Sequence, residues 1–173
     1  MEQKAKLGKL KDGTIFEYGG NLWIKLGEED GKVVALSKEI ICQKAFDENN
    51  KNNWKTSTLR NYLNEIFLEE LLENGAKEED FLTVITDLTA DDGTKEYGQA
   101  EDLISLITCD DYRKYREHIK PIDSWWWTST PYSCLASYSY YARNVHSSGT
   151  LSRSNAYDGR WGVRPLCNLS SEI

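Results

Sequence analysis

The spacing of apolar positions changes period twice along the chain. In the first forty residues GTIFEYGGNLWIKLG sets apolar and aromatic residues on either side of Gly19-Gly20-Asn21, and KVVALS follows Gly31. This pattern predicts short antiparallel strands around tight turns, a small meander. From Thr56 the repeat lengthens. In STLRNYLNEIFLEELLENG, Leu59, Tyr62, Leu63, Ile66, Phe67 and Leu71 recur at helical spacing after a Ser/Thr cap, and Gly75 ends the run. One or two amphipathic helices are expected there. FLTVITDL (81–88) reads as a buried strand and TADDGTKEYGQAED as a polar loop. ISLITCDDYRKYREHI predicts a strand ending at Thr108, then a helix capped by Asp110 or Asp111 with Tyr112 and Tyr115 on one side, closed by Pro121. In the last fifty residues WWWTSTP, a Ser/Tyr-rich stretch and GVRPLCNL read as strands with long connections.

The order is strands, helices, strands, without the alternation of a parallel α/β sheet, so the expected class is α+β. At 173 residues the chain fits one domain. Within it, 1–50 would form the meander, 54–124 the helices and central strands, and 125–173 the Trp-rich strand, the Ser/Tyr-rich region and the closing strand. A net charge of −7 argues against a nucleic-acid or membrane-surface footprint. The N-terminus MEQKAKLGKLKDGT has no apolar run, which predicts no signal peptide, no membrane insertion and synthesis in the cytoplasm. Cys42, Cys109, Cys134 and Cys167 lie far apart with no CxxC pair and only His118 and His146 beside them, so buried or half-buried free thiols are expected and a zinc site is not.

Composition changes the picture at Pro131. Outside residues 131–161 there are 14 Lys, 16 Glu and 3 Gln, so a window of this length should hold about seven by chance. It holds none. Seven Ser, five Tyr, three Arg and two Asn stand there instead, with a net charge of +2. Disordered segments are poor in aromatics and rich in Glu and Lys, the reverse of this stretch. Tyr, Ser, Gly and Asn with an occasional Trp or Arg is the composition of antibody binding loops. Tyr and Ser also populate ordinary exposed strands, so composition alone leaves two readings open, a recognition surface or plain sheet packing.

WWWTSTP and GVRPLCNL resemble a bacterial and phage family of domains of unknown function with a WW-x-[ST]-x-P strand, a V-x-x-x-G-x-[LV] run and a closing GVRP strand. Trp125, Trp126, Thr128, Ser129 and Pro131, then Val145, Gly149 and Leu151, then Gly162, Val163, Arg164 and Pro165 carry the resemblance. NNWKTSTLRNYLN, TDLTADDGTKEYG and LISLITCDDYRKYR extend it over nearly the whole chain. That family is similar to the C-type-lectin-like fold of formylglycine-generating enzymes and of the variable proteins of diversity-generating retroelements. The resemblance implies small antiparallel sheets with two or three helices and long loops. In the retroelement proteins, template adenines are randomised so that AAY codons become NNY, and NNY cannot encode Lys, Glu, Gln, Met or Trp. Residues 131–161 lack the first four; Trp161 is the departure.

The function this implies is ligand or receptor recognition by a diversified surface on a fixed frame, with no catalysis and no cofactor. The alternative is a phage or prophage structural or interaction domain of the same fold without diversification. The expected ligand-facing set is Tyr138, Tyr140, Tyr141, Arg143, His146, Ser147, Ser148, Thr150, Ser152, Arg153, Asn155, Tyr157, Asp158, Arg160 and Trp161. Strand alternation would put Ser139, Tyr141 and Arg143 on one face and Tyr138, Tyr140 and Asn144 on the other, with an exposed, loop-rich run from His146 to Trp161. Val145, Gly149 and Leu151 are expected at interior or turn positions, and Arg164 in the frame with a buried partner. The implied partner is a protein or cell-surface ligand, together with a homo-oligomer or incorporation in a virion. Three enzyme or metal readings are set aside. Cys134 and Cys167 lack an activating neighbour; Asp87, Asp91 and Asp92 have no calcium-loop spacing; and Ser147, His146 and Asp158 make no triad, because adjacent strand residues point apart.

Overall fold

The computed structural model describes residues 5–173. It is a mixed α+β structure of three sheets. The meander forms as its alternation predicts: β1 (Ile15–Tyr18), β2 (Asn21–Glu29) and β3 (Lys32–Ser37) pair antiparallel. Both turns are two residues long and both central positions have positive φ, +63° and +76° at Gly19-Gly20 and +51° and +75° at Asp30-Gly31. That is the backbone whose twist matches a hairpin. The closing strand β13 (Leu166–Ser170) then lies against β3, and its other edge takes β5 (Phe81–Leu82) and β8 (Ile104–Ser105) end to end.

The second sheet has the order β11 (Leu151–Asn155), β10 (Tyr141–Val145), β9 (Trp126–Pro131), β12 (Gly162–Val163), β4 (Cys42–Gln43). A third pairs β6 (Val84–Asp87) with β7 (Gln99–Asp102). Residues 81–88 are therefore not one buried strand. They break at the exposed Thr83 and serve two sheets, with Ile85 and Asp87 facing out. The last residues of the expected polar loop form β7.

One long helical rod runs from the cap Ser57, whose Oγ accepts from the Leu59 and Arg60 amides, through α1 (Thr58–Tyr62), a π turn (Leu63–Phe67) and α2 (Leu68–Glu73). Leu59, Leu63, Phe67 and Leu71 are buried at a strict four-residue interval. In a regular α-helix such a repeat drifts about 40° per step, and the wider π turn absorbs the drift. Ile66, expected on the apolar face, is left outside the stripe, 51% exposed. Beyond the rod, Gly75 (φ +98°) closes a Schellman motif in which the Ala76 amide donates to Leu71 O. The other helix, α3 (Cys109–Lys114), is short. Its cap is Thr108, whose Oγ1 accepts from the Asp111 amide at 3.0 Å, and not Asp110 or Asp111. The strand expected to reach Thr108 stops at Ser105.

β9 joins the two hydrophobic clusters. Adjacent strand residues face opposite ways, so Trp127 packs edge-on to Phe46 (5.8 Å) in one cluster and Trp126 edge-on to Tyr112 (5.9 Å) in the other. Thr128, Ser129 and Thr130 are also buried, and together they stand opposite Arg143 alone in a bulge. Their hydroxyls replace the lost ladder. Thr128 Oγ1 donates to Arg143 O (2.9 Å), and Thr130 Oγ1 accepts from the Cys109 amide (2.9 Å). Gly162 is required by packing, since a Cβ would come within 2.9 Å of Ile40 Cγ1 and Cγ2. All four cysteines are free, Cys109 and Cys167 buried and Cys42 and Cys134 half-buried. No helix among the described residues is long and apolar enough to cross a membrane.

Candidate ligand-binding surface

The hairpin β10–β11 carries the surface. Ala142, Asn144 and Val145 are buried while Tyr141 and Arg143 are half-exposed. The expected alternation does not extend upstream, because Ala136–Tyr138 is a 3-10 turn and the strand begins only at Tyr141. Tyr140 and Tyr141 therefore come together, ring centroids 4.4 Å apart, where an unbroken strand would have separated them. Tyr132 packs edge-on against both Tyr138 and Tyr141 at 5.9 Å. Arg153 lies over this group, its guanidinium 4.4 Å from the Tyr132 ring and 4.5 Å from the Tyr141 ring. The Tyr140 hydroxyl, hydrogen-bonded to Tyr141, is held above the usual tyrosine pKa.

At the other end of the hairpin a second group forms. Trp125 and Trp161 stack at 4.7 Å, the His146 ring is 4.3 Å from Trp125, and Arg160 lies over Trp161. His146 Nδ1 accepts from the Ser148 amide, and Ser148 Oγ bonds Thr150 Oγ1, closing the turn. Ser147 Oγ stands 3.4 Å from His146 Nδ1. The pair sits in a turn, so strand geometry does not separate it. Asp158 is engaged elsewhere: Arg160 binds both its oxygens (3.0 and 2.7 Å) and holds its carboxyl below the usual range.

The fifteen expected residues thus divide. Tyr138, Tyr140, Tyr141, Arg143 and Arg153 belong to the first group, and His146, Ser147, Ser148, Thr150, Asp158, Arg160 and Trp161 to the second. Ser152 and Asn155 are half-buried in β11, and Tyr157 stands apart, 57% exposed. The run from His146 to Trp161 is less loop-rich than expected because it contains β11. Val145 is interior as expected. Leu151 is half-buried at the start of β11. Gly149 has φ +86°, and a Cβ there would collide with the Arg116 guanidinium and lie 3.2 Å from Pro121 Cγ.

Several anchors are invisible to local sequence patterns. Asn52 is fully buried; its Nδ2 donates to the carbonyls of Ser133 (2.8 Å), Tyr141 (2.9 Å) and Tyr138 (3.3 Å), and its Oδ1 accepts from the Tyr97 hydroxyl (2.6 Å). Tyr112 donates to Gly149 O at 2.6 Å. Asp91 accepts from Arg143 Nε (2.8 Å) and Nη2, and from Arg113 at 3.4 Å. Arg164 is in the frame, 1% exposed. Its partners are the carbonyls of Ser37 and Lys38 and the face of Trp126, and burial pushes its pKa down to about 10. Among the described residues no His, Cys, Asp and Glu side chains gather as a metal site. Burial pushes the Cys167 thiol up, away from the reactive thiolate.

Fold and surface together define a mixed α+β protein that carries a tyrosine and arginine cluster on a braced hairpin. The chain belongs to the family described as a domain of unknown function (DUF6273), matched over residues 73–171. The match covers β5 through β13 and stops short of the meander and the helical rod, narrower than the resemblance drawn from sequence. No curated protein and no solved structure matches the chain.

Proposed function

We propose that this protein is a ligand-recognition domain, the variable protein of a diversity-generating retroelement on a C-type-lectin-like scaffold. The observation that carries the reading is how residues 131–161 are held. The frame grips their main chain. Asn52 reaches the carbonyls of Ser133, Tyr138 and Tyr141, and its own amide reaches Ser139 O; Thr128 reaches Arg143 O; Tyr112 reaches Gly149 O; the Asp47 and Lys44 amides reach Ala156 O and Trp161 O. Every residue type has a carbonyl, so these bonds survive side-chain exchange in the window. Together with the absence of Lys, Glu, Gln and Met from 131–161, this is what a surface built for substitution requires.

Rigid tyrosines ringed by small polar residues give a few dominant anchors and tolerance elsewhere. Display in many copies, as on a virion, would compensate for modest affinity per site. The test is the DNA flanking the gene. A near-copy of the segment coding for residues 131–165, differing at adenines and close to a reverse-transcriptase gene, is the expected finding. Its absence would leave the undiversified phage or prophage interaction domain as the reading.

A further inference from the structure

Resting on the recognition reading, we infer that the tyrosine cluster takes a protein partner whose contact point is an Asp or Glu side chain, bound by Arg153. The argument begins with a like-charge pair. Arg143 and Arg153 are direct partners across the β10–β11 ladder, an arrangement that is unfavourable unless one charge is compensated. Arg143 is compensated, since Asp91 binds it through two nitrogens. Arg160, the remaining arginine of the window, is bound by Asp158. Arg153 is exposed and, among the described residues, is held by rings alone, those of Tyr132 and Tyr141. Tyr132 and Tyr141 stand at 84° to each other, so the guanidinium lies flat on at most one of them, and because a ring is a weak acceptor its N–H donors remain available to a carboxylate.

The carboxylates on the same side do not answer it. Asp91 is shared by Arg143 and Arg113, and the Asp92 carboxylate accepts from the Thr94 amide and hydroxyl. Beside the cation lies a notch lined by Asp91, Asp92, Tyr132, Ser133, Leu135 and Tyr138. Leu135 and Tyr138, 51% and 44% exposed, are unusually open for apolar side chains. An aliphatic and an aromatic contact next to a cation with no carboxylate partner among the described residues matches a polypeptide surface with a carboxylate among apolar residues better than it matches a saccharide. The chain as a whole is acidic, net −7, so an acidic partner is attracted at this cationic point against a repelling background.

The experiment is selection from a displayed library of random twelve-residue peptides on the wild-type protein and on the Tyr140→Ala/Tyr141→Ala double variant. Expected are peptides that need the tyrosines and are enriched in Asp and Glu. Replacing their acidic residue by Gln or Asn should weaken wild-type binding about tenfold, as should Arg153→Gln. The peptide substitution is read on an unaltered protein, so a folding defect in the Arg153 variant cannot mimic the result. Tyrosine-dependent peptides without acidic enrichment, equally bound by Arg153→Gln, would overturn the carboxylate inference and leave the recognition reading standing. Arg153-dependent binding to uronic or sialic acid glycans on an array, with no peptide selected, would overturn the protein partner. Peptides indifferent to Tyr140 and Tyr141 would remove both readings.

Discussion

Asn52→Ala tests whether the frame holds the tyrosine loop from a distance. The Asn52 side chain has two amide hydrogens for three carbonyls, so the bonds to Ser133 and Tyr141 (2.8 and 2.9 Å) are the strong ones and the one to Tyr138 (3.3 Å) is shared. The losses are unequal. Ser133 O has no other partner among the described residues and would be left buried and unsatisfied, at about 1–3 kcal/mol. Tyr141 O keeps the Tyr132 amide at 3.0 Å, and the half-buried Tyr97 hydroxyl can turn to water, so each adds about 0.5–1 kcal/mol. The sum is about 3 kcal/mol, which for a chain of this size lowers the thermal midpoint by about 6–12 °C. The assay is thermal unfolding combined with amide hydrogen exchange. Protection should fall first at Tyr132, Tyr138 and Ser139, and the meander amides should fall only with global stability. A midpoint change under about 2 °C, with exchange unaltered in 132–141, would refute the claim that Asn52 carries this loop.

Gly149→Ala is expected to destabilise by about 2 kcal/mol or more in urea unfolding, since an L residue at φ +86° is strained and its Cβ meets Arg116 and Pro121; a loss within 0.5 kcal/mol would mean the turn adapts. Alkaline titration supplies a check on burial. Burial raises Tyr97 to about 12, and burial with the Asp80 hydrogen bond raises Tyr18 to about 12, from the ordinary 10. A raised folded-state pKa means that their stabilising contribution is complete below pH 10 and is lost as pH climbs from 10 towards 12. Tyrosinate absorbance should therefore show a late fraction, smaller in Tyr97→Phe, and stability should slope downward over that range. Uniform titration of all ten tyrosines near 10 would contradict the buried positions.

What was legible in the sequence is what local period and turn chemistry encode. Two-residue turns at Gly19-Gly20 and Asp30-Gly31 with alternation on both sides define the meander, and a cap, a stripe and a terminal glycine define the rod. What was not legible depends on distant pairing. Nothing local tells that β13 enters beside β3 and becomes the middle of a sheet, or that residues 81–88 divide between two. The π turn was foreshadowed by the four-residue interval, but the interval is as readily taken for ordinary helical spacing. The same limit applies at the surface. Its composition was visible, whereas Asn52 and Asp91 act over 81 and 52 positions of sequence. Alternation along the strand is interrupted by the turn Ala136–Tyr138, and that turn is what brings Tyr140 and Tyr141 together.

Residues 131–161 do not tolerate side-chain exchange uniformly, and the hairpin shows how confined and open positions interleave. Ala142, Asn144, Val145 and Ala156 are buried, and Gly149 is confined by its own dihedral and by Arg116. Large residues at the alanines would overpack a dense interior. Tyr141 and Arg143 alternate with the buried Ala142 and Asn144 on β10 and are half-exposed, Val145 on their own side is covered in the cluster of Trp126, and Arg153 stands opposite Arg143 on β11. Strand geometry therefore sorts side chains into support and display within a single hairpin. Arg143 is the exception, a display-side residue tied to the frame through Asp91. Its neutralisation allows a second arginine to stand directly opposite. That Arg153 has no carboxylate partner among the described residues thus follows from where Asp91 sits, outside the window and spent on Arg143.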